Sequence, residues 1–244
     1  MTNAIVFDTE TTGVDAPDVI ELACTIPLAD PSELHAPVIP IASMRWKPTK
    51  PIALGAMATH HIIPEDLEGC QLWPGTWTPP EGVTYLIGHK VDFDWGAIGS
   101  PHIARICTLA LARSLLPELD SHSLSALVYY FMLKDVARER LKNAHSAEQD
   151  VGNCLFVLIE LLKDLPGIAS WHQLWVASEK ARIPVRMSFG KYGPHEEWAK
   201  KNGGAMLCAE VRRRDAGYYS WLMNKCDQVK EDPYLAKALR GEAA

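Results

Sequence analysis

The chain opens with an apolar run that ends in two carboxylates. Residues 5–7 are Ile, Val and Phe, and Asp8 and Glu10 follow them. The run predicts a buried strand, and side chains two residues apart in a strand point the same way, so both acids would project together from its carboxyl end. Two adjacent carboxylates repel each other unless a cation lies between them. From spacing alone, a solvated turn explains the pair equally well.

Alternation of apolar and polar residues predicts further strands after this one. Residues 18–26 begin with alternating acidic and apolar side chains, which predicts a strand that is half exposed at its start. Residues 38–46 predict a third strand, and the short Pro-rich links favour an antiparallel meander. Residues 85–87 predict a short buried strand that stops at Gly88.

Apolar residues at spacings of three and four predict helices at 106–116 and 123–133, with Ser121 and Ser123 as candidate caps of the second. Residues 51–61 predict a helical turn that ends at two histidines, and one turn of helix begins within 89–95. Between these segments, residues 71–82 contain three prolines and two glycines and predict a loop, which Trp73 and Trp77 would anchor.

A capping pattern marks the start of the next helix. Ser146 is followed three residues later by Gln149, so the helix begins at Ser146. His145 would then lie just outside the helix, and Asp150 in its first turn, where the helix dipole favours a carboxylate. Further on, residues 170–181 predict a helix, residues 185–193 a strand with a tight turn, and residues 212–215 the beginning of a final helix.

Charge is distributed unevenly along the 244 residues. Residues 1–165 carry a net charge of −10 and residues 166–244 a net charge of +4, which together give the overall −6. An acidic body with a basic tail suits a metal site joined to a module that binds a polyanion, although two differently solvated surfaces would give the same bias. The six scattered cysteines form no CxxC pair and indicate reduced thiols. We expect a cytoplasmic protein without a leader or a membrane span.

Three motifs in one order carry a family resemblance: Phe7-Asp-Thr-Glu-Thr-Thr-Gly13, then His89-x-x-x-Phe-Asp94, then His145-x-x-x-x-Asp150. This order resembles the DEDD-type 3′→5′ exonucleases with an RNase H-like fold, in the subclass whose fourth motif uses histidine (DEDDh). The segment at 51–62 is also similar to that family, and residues 188–193 and 212–222 resemble the small carboxy-terminal module of its exodeoxyribonuclease X branch. The resemblance covers residues 4–164 and about 185–225.

The resemblance implies an α/β fold with an RNase H-like mixed central sheet flanked by helices, plus a small basic carboxy-terminal module. The corresponding domains would be an exonuclease domain at 1–165, a helical linker at 166–183 and the module at 184–244. The implied reaction is phosphodiester hydrolysis with two divalent metal ions, Mg²⁺ or Mn²⁺, which prefer carboxylate oxygens.

The same resemblance implies a catalytic or metal-binding role for one or more residues of each motif. Asp8 would bridge both ions, Glu10 and Asp150 would complete one site, and Asp94 would hold the other. His145 would be the general base that takes a proton from the attacking water, because histidine exchanges protons near neutral pH.

Substrate contacts are expected at three places. The segment Thr9, Thr11, Thr12 and Gly13 would approach the terminal nucleotide, and Met57 and His60 would bound its pocket. Basic side chains would contact phosphates: Lys191, Arg212, Arg213 and Arg214. Lys90 occupies a position where the family usually has asparagine, and it could reach a carboxylate or a phosphate. Tyr218, Tyr219 and Trp221 are expected to pack the tail module.

The sequence therefore predicts a metal-dependent 3′→5′ exonuclease that acts on DNA 3′ ends, single-stranded or frayed, as a monomer or homodimer. Two alternatives within enzymes are an RNase T-like exoribonuclease and a proofreading exonuclease bound to a polymerase. A third alternative, from another class, is an inactive nuclease fold that only binds nucleic-acid ends.

Overall fold

A five-stranded mixed sheet is the main β structure in the computed structural model, which describes residues 3–36, 38–143 and 145–242. The strand order is β3-β2-β1-β4-β5. Strand β1 pairs antiparallel with β2, which pairs antiparallel with β3, whereas β4 and β5 run parallel to β1. The strands are β1 (Asn3–Thr11), β2 (Val19–Thr25), β3 (Ile41–Arg45), β4 (Val83–Gly88) and β5 (Ala104–Cys107).

Helices follow and interrupt the strands. The first seven are α1 (Leu54–His60), α2 (Asp92–Ala97), α3 (Thr108–Leu115), α4 (Leu124–Phe131), α5 (Lys134–Arg140), α6 (Ala147–Leu162) and α7 (Trp171–Ala181). The tail contains α8 (Glu197–Asn202), α9 (Cys208–Arg214), α10 (Ala216–Lys225), α11 (Asp227–Glu231) and α12 (Pro233–Arg240). None of the helices in the described part of the chain has the length and hydrophobicity that a membrane span requires.

The predicted α/β fold with a mixed sheet is confirmed, and the antiparallel meander of the first three strands is confirmed with it. The prediction that β2 is half exposed at its start is wrong, because every residue from Val19 to Thr25 is buried. The single helix predicted at 106–116 is also wrong at its start. Residues 104–107 form β5, and the helix begins only at Thr108.

Helix α6 is the element that joins the sheet to the candidate site. It packs across β1, β2 and β3 on one face, while α3 and α4 pack against it. Its buried residues include Val151, Leu155 and Leu158, as the apolar spacing predicts. The Ser146 hydroxyl accepts a hydrogen bond from the Gln149 N–H at 3.4 Å, which confirms Ser146 as the residue that caps this helix.

The chain divides into two compact units, residues 1–178 and 179–244. The boundary lies inside α7, whose first part belongs to the larger unit. Trp171 is 1% exposed, and its Nε1–H donates to the Leu28 carbonyl at 2.9 Å. The Ser178 hydroxyl accepts from the Cys107 N–H at 2.8 Å. Much of the segment expected to be a linker therefore packs against the body.

The smaller unit has its own buried core, which includes Met187, Met206 and Leu222. The strand predicted at 185–193 is wrong. Three backbone hydrogen bonds join this segment to residues 206 and 208, and residues 190–192 form a 3-10 turn. The helix predicted to begin at Arg212 is wrong as well, because Arg212–Arg214 end α9, and the Asp215 carboxylate caps α10 through the Tyr218 N–H at 2.9 Å.

The loop at 71–82 contains neither a helix nor a regular strand. Trp73 is 5% exposed, and its ring contacts Trp46 edge-on with 5.0 Å between the ring centroids. The prediction that Trp73 anchors this loop on the body is confirmed.

Candidate active site

Three carboxylates converge where β1 meets the first turn of α6. Asp8 and Glu10 project from the same side of β1, and Asp150 lies in the first turn of the helix. One oxygen atom of each lies within 4.8 Å of the others. Glu10 is 8% exposed, and Asp8 and Asp150 are partly buried. Residues that are far apart in the sequence are therefore brought to one point by the packing of α6 on β1.

The three carboxylates are electrostatically unfavourable as a group. Burial raises the pKa of Asp8 well above its usual value, and repulsion from Asp94, Asp150 and Glu10 raises it further. Burial, followed by repulsion from Asp150, raises the pKa of Glu10 to about 9. Burial also raises the pKa of Asp150. Near neutral pH such a cluster either retains protons or requires bound positive charge.

Asp94 is the fourth predicted carboxylate, and it lies beside the other three. It is 5% exposed in α2. Its Oδ1 accepts hydrogen bonds from the Thr9 hydroxyl at 2.6 Å and from the Thr9 N–H at 3.2 Å. Burial raises the pKa of Asp94 to about 7, while the Thr9 hydrogen bonds and the charge of Lys90 act in the opposite direction. The Thr9 hydroxyl, expected at the substrate, is therefore turned towards Asp94.

Asp150 is held by a chain of side chains that sequence reasoning did not find. Asn153 is fully buried, and its Nδ2 donates to Asp150 Oδ1 at 3.4 Å. Arg140 in turn donates from Nε to Asn153 Oδ1 at 2.6 Å and from Nη2 to the Gly152 carbonyl at 2.8 Å. The spacing of Asp150 and Asn153 along one helix was a readable signal, but the contact with Arg140 was not.

His145 is exposed and immediately precedes the cap of α6. Its backbone φ is +69°, in the left-handed region. The backbone N–H of His145 donates to Asp150, and both this bond and the His145 side chain lower the pKa of Asp150. The structure thus brings His145 next to the carboxylate cluster and leaves its ring open to solvent.

Glu21 is a fifth buried carboxylate near the cluster, and sequence reasoning assigned it no role. It lies in β2 directly opposite Glu10 and is 5% exposed. Its charge contributes to the raised pKa values of Asp8 and Glu10. Arg45 of β3 donates to Glu21 Oε1 at 2.8 Å. The signal that could have identified it is an acidic residue in the middle of an otherwise apolar run.

The segment after Glu10 turns beside α1. Thr11 and Thr12 are buried, the Thr11 hydroxyl donates to the Gly13 carbonyl at 2.8 Å, and the Ala53 N–H donates to the Thr12 carbonyl at 2.8 Å. The His60 ring is also buried, and its Nδ1 accepts from the Ile62 N–H at 3.0 Å.

The other ring nitrogen of His60, Nε2, therefore carries the proton and donates to the Thr11 carbonyl at 3.2 Å. His60 supports the turn with both nitrogens, while Met57 beside it is partly buried.

The basic residues expected to contact phosphates lie on the smaller unit and are exposed. Lys191 donates to Asp215 at 2.6 Å, and this contact, with hydrogen bonds from the Tyr218 N–H and the Tyr192 hydroxyl, lowers the pKa of Asp215 to about 2. Arg213 and Arg214 both donate to Glu210, at 3.3 and 3.2 Å. The Arg212 guanidinium lies over the Tyr219 ring, 5.7 Å from its centroid. Exposed ion pairs of this kind are weak and exchange readily for other anions.

The donor set fits hard divalent cations. The converging ligand atoms are all carboxylate oxygens, which Mg²⁺ and Mn²⁺ prefer over softer ligands. A bound cation would offset the carboxylate repulsion that, together with burial, raises the pKa values of Asp8 and Glu10. The residues present are therefore compatible with the metal ions that the motifs imply.

Comparison with known proteins agrees with the fold. The chain is 25% identical over 230 residues to exodeoxyribonuclease 10 of Escherichia coli strain K12, and the match covers 93% of both proteins. The solved structure of exonuclease X in complex with 5′ overhanging duplex DNA has a TM-score of 0.52 and 20% identity, and covers 72% of this chain and 99% of that one. No family model matches the chain.

A larger protein shares the fold. The zinc ion bound form of the E. coli exonuclease I complex with single-stranded DNA gives a TM-score of 0.51 with 17% identity, over 68% of this chain and 41% of that one. The fold of this chain, a mixed five-stranded sheet flanked by helices, is thus similar to that of these solved exonucleases. The full-length relative confirms, more narrowly, the predicted resemblance to DEDD-type exonucleases and to exodeoxyribonuclease X.

Proposed function

We propose that the protein is a metal-dependent 3′→5′ exonuclease that releases nucleotides from DNA ends. The observation that carries the proposal is the convergence of Asp8, Glu10 and Asp150 within 4.8 Å, with Asp94 beside them. Support comes from the full-length similarity to an exodeoxyribonuclease and from two structural relatives that were solved with DNA.

Asp8, Glu10 and Asp150 would hold divalent cations, and Asp94 would complete the set. Bound Mg²⁺ or Mn²⁺ would supply positive charge that stabilises the phosphodiester as negative charge develops on its oxygens. The protein's own part is to keep these carboxylates fixed and partly dry. Thr9 orients Asp94, and Asn153 orients Asp150, through the hydrogen bonds at 2.6 and 3.4 Å.

His145 is the proposed general base. Its ring is exposed, and it is close enough to Asp150 to lower the pKa of that carboxyl. A histidine at the mouth of the site can take a proton from the attacking water and pass it to solvent. Lys90 is exposed and close enough to Asp94 to affect the pKa of that carboxyl. It would contact either the phosphate of the released nucleotide or a phosphate of the remaining DNA strand.

DNA would reach the site along two surfaces. The Thr11–Gly13 turn, with Met57 and His60 behind it, would receive the terminal nucleotide at the end of β1. On the smaller unit, the exposed basic residues Lys191 and Arg212–Arg214 would contact DNA phosphates. Lys191, Arg213 and Arg214 would do so in exchange for their present acidic partners.

Digestion of 5′-end-labelled single-stranded DNA tests the proposal. A 3′→5′ exonuclease shortens the labelled strand progressively, whereas the opposite polarity releases a labelled mononucleotide at once. We expect a ladder of shortened products with Mg²⁺ or Mn²⁺ and none with EDTA. Labelled RNA and duplex DNA, digested in parallel, define the substrate, and degradation of RNA alone would replace this proposal with an exoribonuclease.

Variants in the first turn of α6 provide a matched comparison. Asp150→Asn removes one charge from the carboxylate cluster and is expected to abolish hydrolysis while DNA binding persists. Glu148→Gln, an exposed acid two residues earlier in the same turn, should retain wild-type activity. Undiminished hydrolysis by Asp150→Asn would disprove the proposed metal site. DNA binding by the wild-type protein without hydrolysis under any metal condition would indicate an inactive nuclease fold.

A further inference from the structure

A row of three charged side chains crosses the sheet beside the carboxylate cluster. Glu10 of β1 lies opposite Glu21 of β2, and Glu21 lies opposite Arg45 of β3. Glu21 uses both carboxylate oxygens: Oε1 accepts from Arg45 Nε at 2.8 Å, and Oε2 accepts from the Ala147 N–H at 3.0 Å. Glu21 is 5% exposed, so its carboxylate is held by these two hydrogen bonds with little access to solvent.

Ala147 is the first residue of α6. The first N–H groups of a helix have no partner within the helix, and they carry the positive end of its dipole. Glu21 therefore attaches the beginning of α6 to the middle of β2 through a charge-assisted hydrogen bond. Asp150 lies three residues later, in the same first turn.

Glu21 stands outside the group of converging ligand atoms, which consists of Asp8, Glu10 and Asp150 among the residues that the structure describes. Its negative charge is unfavourable for its neighbours, since like charges repel, and Arg45 offsets part of that repulsion. What Glu21 contributes is therefore its contact with the helix that carries Asp150.

We infer that Glu21 is a positioning residue, which fixes the first turn of α6 so that the Asp150 carboxylate meets Asp8 and Glu10. Arg45 holds Glu21 in the orientation that reaches Ala147. This inference rests on the proposed cation site and assigns a role to a residue that the proposed reaction does not itself use.

Two substitutions that keep the length of the Glu21 side chain distinguish positioning of α6 from a general contribution to stability. Glu21→Gln removes the charge but keeps an oxygen that can accept from Ala147, whereas Glu21→Met removes both. The readout is the thermal stability of the protein titrated with Mn²⁺ alone, which reports cation binding without substrate. We expect the Mn²⁺ midpoint of Glu21→Met to rise about tenfold or more, and that of Glu21→Gln to stay within about threefold of wild type.

Thr25→Val is the matched control. Thr25 lies in the same strand, is 2% exposed, and accepts from the Val6 N–H at 3.1 Å, so its loss removes a buried hydrogen bond in which α6 takes no part. Thr25→Val should lower the stability of the cation-free protein and leave the Mn²⁺ midpoint unchanged. In DNA cleavage, excess Mn²⁺ should restore most of the kcat of Glu21→Met, as expected for weakened cation binding.

A wild-type midpoint in Glu21→Met would overturn the inference and leave the proposed function intact. If Glu21→Met does not fold, Ala147→Pro removes the same hydrogen bond from the helix side, at a position where proline is tolerated and Ser146 is already extended (φ −112°, ψ 138°). A raised midpoint there supports the inference, and an unchanged one overturns it. Absence of any Mn²⁺ effect on the wild-type protein would overturn the cation site and this inference together.

Discussion

Glu10 makes the stability of the cation-free protein depend on pH in an unusual direction. Its pKa is about 9 in the folded protein, against 4.5 for an ordinary glutamate. Between these values the unfolded chain ionises Glu10 while the folded chain keeps it protonated, so rising pH stabilises the unfolded state relative to the folded state. The ionisation of Glu10 therefore does not reduce the free energy of unfolding below about pH 4.5, and reduces it progressively between that pH and about pH 9.

The size of this effect follows from proton linkage. One such group lowers the free energy of unfolding by about 1.4 kcal/mol per pH unit, or about 2.7 kcal/mol between pH 5.5 and 7.5. Glu10→Gln removes this contribution. Since Glu10 is neutral in the cation-free folded protein over this range, the substitution leaves the charge around Asp8 and Asp150 almost unchanged.

Urea unfolding in EDTA at pH 5.5, 6.5 and 7.5 measures the difference. We expect the free energy of unfolding of Glu10→Gln to fall with pH less steeply than that of wild type, with a slope that differs by about 1.4 kcal/mol per pH unit. Glu65→Gln, on an exposed 3-10 turn outside the cluster, should keep the wild-type slope. Saturating Mn²⁺ should flatten the wild-type slope by displacing the proton. Equal slopes for Glu10→Gln and wild type in EDTA would refute the reasoning.

Three further outcomes follow from the hydrogen bonds and charges around the site. Thr9→Val removes a bond that lowers the pKa of Asp94, so the acid limb of the kcat/KM profile should move to higher pH, with about threefold to tenfold less activity near pH 7. Asn153→Leu removes the hydrogen-bond donor to Asp150. Urea unfolding should show that the free energy of unfolding falls by about 1–3 kcal/mol, and a Mn²⁺ titration should show weaker cation binding. Arg212→Met should reduce the salt dependence of single-stranded DNA binding by about 0.7 in log–log slope if Arg212 contacts one phosphate, whereas an unchanged slope would remove it from the interface.

The local features of the site could be predicted from the sequence because they depend on neighbouring residues. The apolar run before Asp8 and Glu10 sets the strand and its direction, and Ser146 with Gln149 sets the start of α6. Together these place Asp150 in the first turn of α6. Packing of the apolar face of α6 on the sheet then brings Asp150 next to Asp8 and Glu10.

The features that could not be predicted depend on partners far along the chain. Glu21 is buried because Arg45 and Ala147, which are 24 and 126 residues away, both bind it. Residues 104–107 form a strand because β4 offers them a parallel edge, although their sequence continues smoothly into a helix. In the tail, residues 185–193 have the alternation of a strand, but only a few backbone bonds reach them from residues 206–208.

The order in which the proposed metal ligands occur along the chain has a consequence for how the protein is made. Among the described residues, the five strands of the sheet all lie before residue 108, whereas Asp150 follows in α6, which packs on that sheet. A ribosome that has released only the first 140 residues has therefore produced the acids of β1 without their partner. The proposed cation binding, and any nuclease activity that depends on it, would begin only after α6 has emerged and folded.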